Sequence, residues 1–151
     1  LDAIDNADLI ILGPGSLYTS VIPNLLIPGI QERLLASPAY KVYVCNVMTQ
    51  PGETEGFSMA RHLQVLIDHT HPRIVDGCFA NTEQIPQALI TKYARTHSTP
   101  VFLDTPLVEA QGIKVFTNDF IKVDGQVRHD PEKLARFIFE TYEAESKPNE
   151  K

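Results

Sequence analysis

The chain is punctuated by short apolar runs that do not alternate with polar residues. Leu9–Leu12 (LIIL), Val42–Val47 (VYVCNV) and Val101–Leu103 (VFL) are apolar at almost every position. Successive side chains of a strand point to opposite faces, so a run apolar throughout needs cover on both. That condition is met inside a parallel sheet flanked by helices. Ile74–Ala80 (IVDGCFA), interrupted by Asp76 and Gly77, reads as a further strand, and Ile113–Phe116 (IKVF) as a fifth.

Helical patterns lie between these runs. Met59, Leu63, Leu66, Ile67 and Thr70 share one face at spacings of three and four, with Ser58 placed to cap them. Leu89, Ile90, Tyr93 and Ala94 mark a second helix, with Pro86 in its first turn. Asp130-Pro131-Glu132 is a helix start: a cap, an N1 proline and an acid at the positive dipole end. Residues 22–36 also read as helical, broken at Pro28-Gly29. Asp124-Gly125 predicts a two-residue hairpin between Ile121-Lys122-Val123 and Gln126-Val127. The order β-α-β-α-β-α-β predicts an α/β domain with a mostly parallel, Rossmann-like sheet and flanking helices. At 151 residues the chain suits one domain, here 1–144, followed by a frayed polar tail over 145–151. Leu1 to Ala7 reads as the end of a helix cut in half, so an upstream part is expected.

Charge narrows the function. The net charge is −6 and the pI about 5.3, with no basic patch, which argues against a nucleic-acid partner. The mean hydropathy is −0.11, and no apolar run nears the roughly 18 residues of a membrane span. Cys45 and Cys78 both sit in apolar runs and read as buried, reduced thiols, which fits a cytoplasmic protein.

Ligands of open α/β sheets bind beyond the carboxyl ends of the strands. After the first strand comes Gly13-Pro14-Gly15-Ser16-Leu17-Tyr18-Thr19-Ser20. Its glycines let backbone approach a ligand, Ser16 and Thr19 supply hydroxyls, and a following helix offers free N–H groups to an anion. The alternative is a tight strand-to-helix turn with no ligand. After the second strand, Asn46, Gln50 and Thr54 offer neutral hydrogen-bonding groups. There Glu53 and Glu55 are either an acid/base pair or the flank of a helix start. Asn81 and Asp104 end the third and fourth runs, to orient ligand hydroxyls or to form caps and turns. His69 and His71 follow a helix and read as its polar end, not as metal ligands. His62, His97 and His129 carry no signal, and Arg61, Arg73, Arg95 and Arg128 could each meet a phosphate but read first as surface charges. These strand ends hold a polar ligand better than they hydrolyse one.

Two stretches carry a resemblance. The run from Ala7 to Leu26, around Gly13-Pro14-Gly15-Ser16-Leu17-Tyr18-Thr19-Ser20, is similar to the gluconeogenesis factor family, described as YvcK-like. So is Lys41 to Thr54, around Asn46-Val47-Met48-Thr49-Gln50-Pro51-Gly52. That family is related to the 2-phospho-L-lactate transferases, the CofD-like proteins of deazaflavin cofactor synthesis. The resemblance implies that this chain is the second half of a larger three-layer domain, whose first half carries a glycine-rich loop. It also implies UDP-sugar binding, a regulatory role in gluconeogenic growth and cell shape, and no firmly assigned catalysis. The transferase branch commonly has Asn-Pro in the loop where this chain has Gly13 to Ser20.

The resulting expectation is a cytoplasmic nucleotide-sugar-binding regulator with no catalytic residues, no metal and no required cofactor. Its ligand set would be Gly13, Gly15, Ser16, Thr19, Asn46, Gln50, Thr54 and Asn81. Its partners would be the nucleotide sugar, the N-terminal half of the same protein and, through an uncovered edge, a second copy. The alternative is a transferase joining a nucleotide-activated phospholactyl-type donor to a deazaflavin, with magnesium held near Glu53 or Asp104.

Overall fold

A computed structural model describes residues 1–146. Leu9–Leu12 (β1), Tyr40–Val44 (β2), Gly77–Asn81 (β3) and Lys114–Asn118 (β4) form one sheet in the order β1-β2-β3-β4. All three pairings are parallel. The expected α/β, Rossmann-like arrangement is present.

Alternate side chains of the strands enter two different cores, which explains their unbroken apolar character. Leu12, Tyr43, Cys45, Cys78 and Ala80 pack with Leu17, Leu25, Leu34, Leu63, Leu66 and Val108. Those partners come from the strand-to-strand connections, which include α2 (Ile22–Leu25), α3 (Ile30–Ala36), α4 (Met59–Asp68) and α6 (Thr105–Glu109). Val42, Val44 and Phe79 face the other way, onto Phe120, Leu134 and Ile138. This second face is covered by α7 (Pro131–Ser146) and by the hairpin of β5 (Ile121–Val123) and β6 (Val127–His129). The sheet is thus the middle of three layers. At its margin, Ile11 of β1 stays 43% exposed on the face that α7 covers further in.

Local signals act as expected at several places. Gly29, with φ of +86°, separates α2 from α3 at the Pro28-Gly29 break. The Ser58 hydroxyl accepts from Arg61 N and caps α4. Asp130 Oδ1 accepts from the N–H groups of Glu132 and Lys133, at 3.0 and 3.1 Å, and caps α7. A short helix α1 (Asp2–Asp5) precedes β1, and α5 (Gln87–Ala94) follows Pro86.

Other expectations are corrected. Val101–Leu103 is not a strand, and the fourth strand is β4, from the run expected as a fifth. Val101 N donates to Val47 O, Thr49 N donates to Thr99 O, and Met48 and Pro100 form an isolated antiparallel bridge. The segment is therefore tied to the loop after β2. Pro100 has no N–H for a ladder, and Asp104 immediately starts α6. The regular part of β2 stops at Val44, and β3 begins only at Gly77. The hairpin loop has three residues, because Val123 pairs with Val127. Glu145 and Ser146, expected in the frayed tail, continue α7; the rest of that tail, 147–151, lies outside the described residues.

His62 on α4 is fully buried, and its Nδ1 lies 2.8 Å from Ser58 O. Burial holds the pKa of His62 and of His129 below the ordinary 6.5, against opposing hydrogen bonds at Ser58 and Cys45. As pH falls through 6.5 the unfolded chain takes up more protons than the native one, so stability declines from there downward. Urea unfolding should show a weaker native state at about pH 5.5 than at about pH 7.5, with a smaller loss in His62→Gln. Removing the α7 cap by Asp130→Ala should cost about 1 kcal/mol by the same measurement, because two N–H groups lose their acceptor.

Candidate functional site

The carboxyl ends of β1 and β2 and the hairpin strand β6 line an open cavity of about 340 Å³. Its wall includes Gly15, Ser16, Asn46, Gln50, Arg128 and His129. Four of the eight expected ligand residues therefore meet in one place. The volume lies within the roughly 300–1,000 Å³ range of small-molecule sites.

The loop after β1 is shaped by its own packing. Gly13 has φ of +89°, and a Cβ there would stand 3.2 Å from Val44 O. A Cβ on Gly15 would stand 3.2 Å from that of Ser20. The positive φ of Gly13 calls for glycine there, and Gly15 lets the Ser20 side chain pack close to the turn. The expected long helix after the loop is instead a five-residue π-helical turn, Leu17–Val21, leading into the four-residue α2. The N–H of its third residue is already engaged, since Ser16 Oγ accepts from Thr19 N at 3.4 Å.

The loop builds a hydroxyl–carboxylate cluster. Ser16 Oγ donates to Glu53 Oε2 at 2.5 Å. Thr19 Oγ1 donates to Ser16 Oγ at 2.6 Å and lies 3.5 Å from Glu53 Oε1. Glu53, first read beside Glu55 as an acid/base pair or a helix flank, thus joins the loop after β1. Glu55 turns elsewhere, accepting from Gly52 N at 2.8 Å.

Thr54 and Asn81 are placed differently from expectation. The Thr54 side chain is fully buried, and its hydroxyl accepts from Gln50 N at 2.9 Å. It fixes the turn that presents Gln50. Asn81 Oδ1 accepts from Phe120 N, and its Nδ2 donates to Glu83 O. Its amide joins the end of β3 to the start of the hairpin, and Asn81 lines a neighbouring cavity with Val47, Gln84 and Ile90. Asp104 is also engaged: its Oδ1 accepts from Ala60 N at the start of α4, 2.8 Å away.

Arg128 and His129 are the residues the sequence did not single out. They reach the cavity because the chain returns in β6 after the sheet is complete. Gln126 Oε1 accepts from Arg128 Nε and Nη2 at 3.3 and 2.8 Å, which orients the guanidinium. Burial lowers the His129 pKa, so its ring is neutral near pH 7. The hairpin is in turn held by α5, whose Tyr93 hydroxyl accepts from Val127 N at 3.0 Å. Lys92 Nζ donates to Gly125 O in the same contact.

Two cavity-lining residues carry buried polar atoms without a hydrogen-bond partner, Gln50 Oε1 and His129 Nε2. Native structures leave few such atoms unmet. Both atoms belong to residues that line this cavity. Asp104 and Glu53, which the transferase alternative would place near magnesium, have separate partners, and the described residues contain no group of three or more His, Cys, Asp or Glu able to share a metal. None of the described helices is long and apolar enough to cross a membrane.

Comparison with known proteins gives the fold a lineage. A gluconeogenesis factor of Halalkalibacterium halodurans is 45% identical over 141 residues, covering 93% of this chain and 44% of that protein. The Bacillus subtilis gluconeogenesis factor is 43% identical over 139 residues, covering 91% of this chain and 44% of its own length. The crystal structure of a UPF0052 family member from Bacillus halodurans superposes with a TM-score of 0.89 at 43% identity, over 91% of this chain and 44% of that one. The chain thus spans under half the length of these relatives. The family model of the 2-phospho-L-lactate transferase CofD matches residues 1–121, and on that match the chain belongs to the CofD family.

Proposed function

We propose that this chain is part of a cytoplasmic, nucleotide-sugar-binding regulatory protein of the gluconeogenesis factor type. It binds UDP-sugar without consuming it, and the bound state bears on central carbon metabolism and cell shape. The observation that carries this reading is the cavity at the ends of β1 and β2, with two unmet polar atoms on its wall and Arg128 at its rim. Its similarity to proteins named gluconeogenesis factor supports the regulatory part.

The residues divide the work of holding such a ligand. Arg128, already oriented by Gln126, meets the diphosphate with a charge-assisted fork. Asn46 and Gln50 supply amide groups to the base and sugar, and His129 adds a neutral ring nitrogen. Gly13, Gly15 and Thr54 shape the loops that present them. The upstream half of the protein completes the crevice, as ligand sites of doubly wound sheets are shared between two halves. No cofactor is required for binding.

The transferase reading rests on the family match. Among the described residues its magnesium has no assembled donor set, because the Asp104 carboxylate holds Ala60 N and Glu53 holds Ser16.

The full-length protein should bind UDP-glucose in the micromolar range, about −8 kcal/mol, by isothermal titration. Prolonged incubation should return the ligand intact on chromatography. Steady turnover that disappears in Glu53→Ala would replace this reading with an enzymatic one. Arg128→Ala should weaken binding at least about tenfold. Tyr93→Phe, which removes the acceptor for Val127 N, should weaken it by a smaller factor of about two to ten. The 151-residue chain alone should bind about tenfold more weakly than the full-length protein. Equal affinities would locate the whole site within this chain.

A further inference from the structure

The two margins of the sheet differ in kind. β4 ends one side as Lys114-Val115-Phe116-Thr117-Asn118, and its Lys114, Thr117 and Asn118 are exposed. A lysine and polar residues of this sort keep an edge strand from recruiting another. β1 ends the other side as Leu9-Ile10-Ile11-Leu12, with no charge, polar residue or proline. That is the composition of an interior parallel strand. Yet Ile11 is 43% exposed, and Leu9 and Ile10 are only half-buried.

The backbone is open on the same side. Asp8 O accepts from Tyr40 N at 3.0 Å, and Leu9 lies opposite Tyr40 in the register. In a parallel ladder such bonds recur at every second residue, so Ile10 and Leu12 also turn their N–H and C=O groups to β2. Leu9 and Ile11 turn theirs the other way, where no strand of the described residues lies. Apolar surface is uncovered there too. Phe137 and Phe139 stand about 200° apart on α7. Phe137 meets Phe79 of β3, while Phe139 on the opposite flank is 58% exposed. Tyr142, one turn beyond Phe139, lines a cavity with Ala7 and Asp8 at the entry to β1.

The connections say where a neighbour of β1 comes from. Those between the four strands place Leu25, Leu34, Leu63, Leu66 and Val108 in the first core. Ile4 of α1, through which the chain enters β1, packs against that same core. Crossovers between parallel strands are right-handed, so helices on one face carry the chain across a sheet in one direction. A parallel strand leading through α1 into β1 therefore lies on the far side of β1 from β2, which is the open side. The relatives have the length for it, since this chain covers 44% of each.

We propose that the upstream half of the protein lays a strand parallel to β1 along its open edge, and that the same half covers Ile11 and Phe139. β1 is then an interior strand, as its composition requires. Two copies of this chain joined symmetrically edge to edge would instead run antiparallel, against every pairing in the sheet. The inference does not depend on the ligand proposed above.

The test is hydrogen exchange of the full-length protein under native conditions, resolved to single amides. Leu9 and Ile11 are expected to exchange within about tenfold of Ile10 and Leu12, because both sets are bonded inside one sheet. Exchange at Leu9 and Ile11 at least about a hundredfold faster overturns the proposal, since the edge is then open in the whole protein. Photo-cross-linking of full-length protein with Ile11 replaced by photo-leucine identifies the occupant. The expected product is a link within one polypeptide to a peptide upstream of Leu1. A covalent dimer overturns the proposal in favour of a second copy, and links found only within Leu1–Lys151 overturn it as well. In thermal melts of the full-length protein, Ile11→Asp should lower Tm by at least about 5 °C and Thr117→Asp, on the β4 edge, by under about 2 °C. Equal shifts would mean that both margins are exposed edges, against the proposal. If Ile11→Asp does not fold, Ile11→Thr takes its place, and the exchange measurement needs no variant.

Discussion

The structure depends on β2 and β3 being covered on both faces at once. Their residues alternate between two separate cores, and neither core forms without the sheet between them. Gly77 makes the second core close. A Cβ at that position would stand 3.0 Å from Phe116 Cε2 and 3.1 Å from the Tyr40 hydroxyl oxygen, so a larger residue would have to displace these ring ends. Phe116 then stacks on Phe79 at 5.2 Å, and Phe137 of α7 meets Phe79 edge-on at 6.0 Å. On the other face Tyr43 is fully buried with Cys45 and Cys78. Burial pushes the Cys45 thiol up to about 12 and holds Tyr43 and Cys78 well above their ordinary values. These groups are neutral packing elements, and the thiols are poor nucleophiles.

A rigid, doubly covered sheet gives fixed points from which loops can be aimed. The turn after β1 leaves at Gly13, and the segment after β2 presents Asn46 and Gln50. That second segment is braced from behind. Ser98 Oγ donates to Thr49 O at 2.6 Å, and Thr99 N donates to Thr49 Oγ1 at 2.9 Å. The run Val101–Leu103, apolar enough to read as a strand, is thereby spent on supporting the site. Its apolar character reflects the burial of Val101, and the placement of its backbone reflects Pro100 and the loop it touches.

Local chemistry was legible and tertiary return was not. The caps Ser58 and Asp130, the Pro28-Gly29 break and all four sheet strands follow from residue types within a few positions of each other, although the same signal also suggested a strand at Val101–Leu103. The meeting of Gly15, Ser16, Asn46 and Gln50 follows from the rule that strand ends share one edge of the sheet. Arg128 and His129 had no comparable signal, because they sit about eighty residues downstream of Gln50 and reach the cavity only through the way the β5–β6 hairpin docks. The Ser16–Glu53 contact is equally nonlocal. Thr54 and Asn81 have the right chemistry for ligand contact, but backbone N–H groups at Gln50 and Phe120 claim their oxygens first. A polar residue near a site is more often spent on the backbone than on the ligand.

Helix α5 has no fully buried residue, and its link to the hairpin runs through Tyr93 and Lys92. Its stability is accordingly of a different order from that of the sheet. Elements with few buried contacts open at small free energies, well below global unfolding. When α5 opens, the Val127 amide loses its acceptor and the hairpin loses its brace. The basic rim of the cavity is therefore a local foldon with the fluctuations of a surface helix, while Ser16 and Asn46 share those of the core. In amide hydrogen exchange, Val127 should follow α5 and not the sheet, so a ligand spanning both walls would be felt first as protection of a helix it never touches.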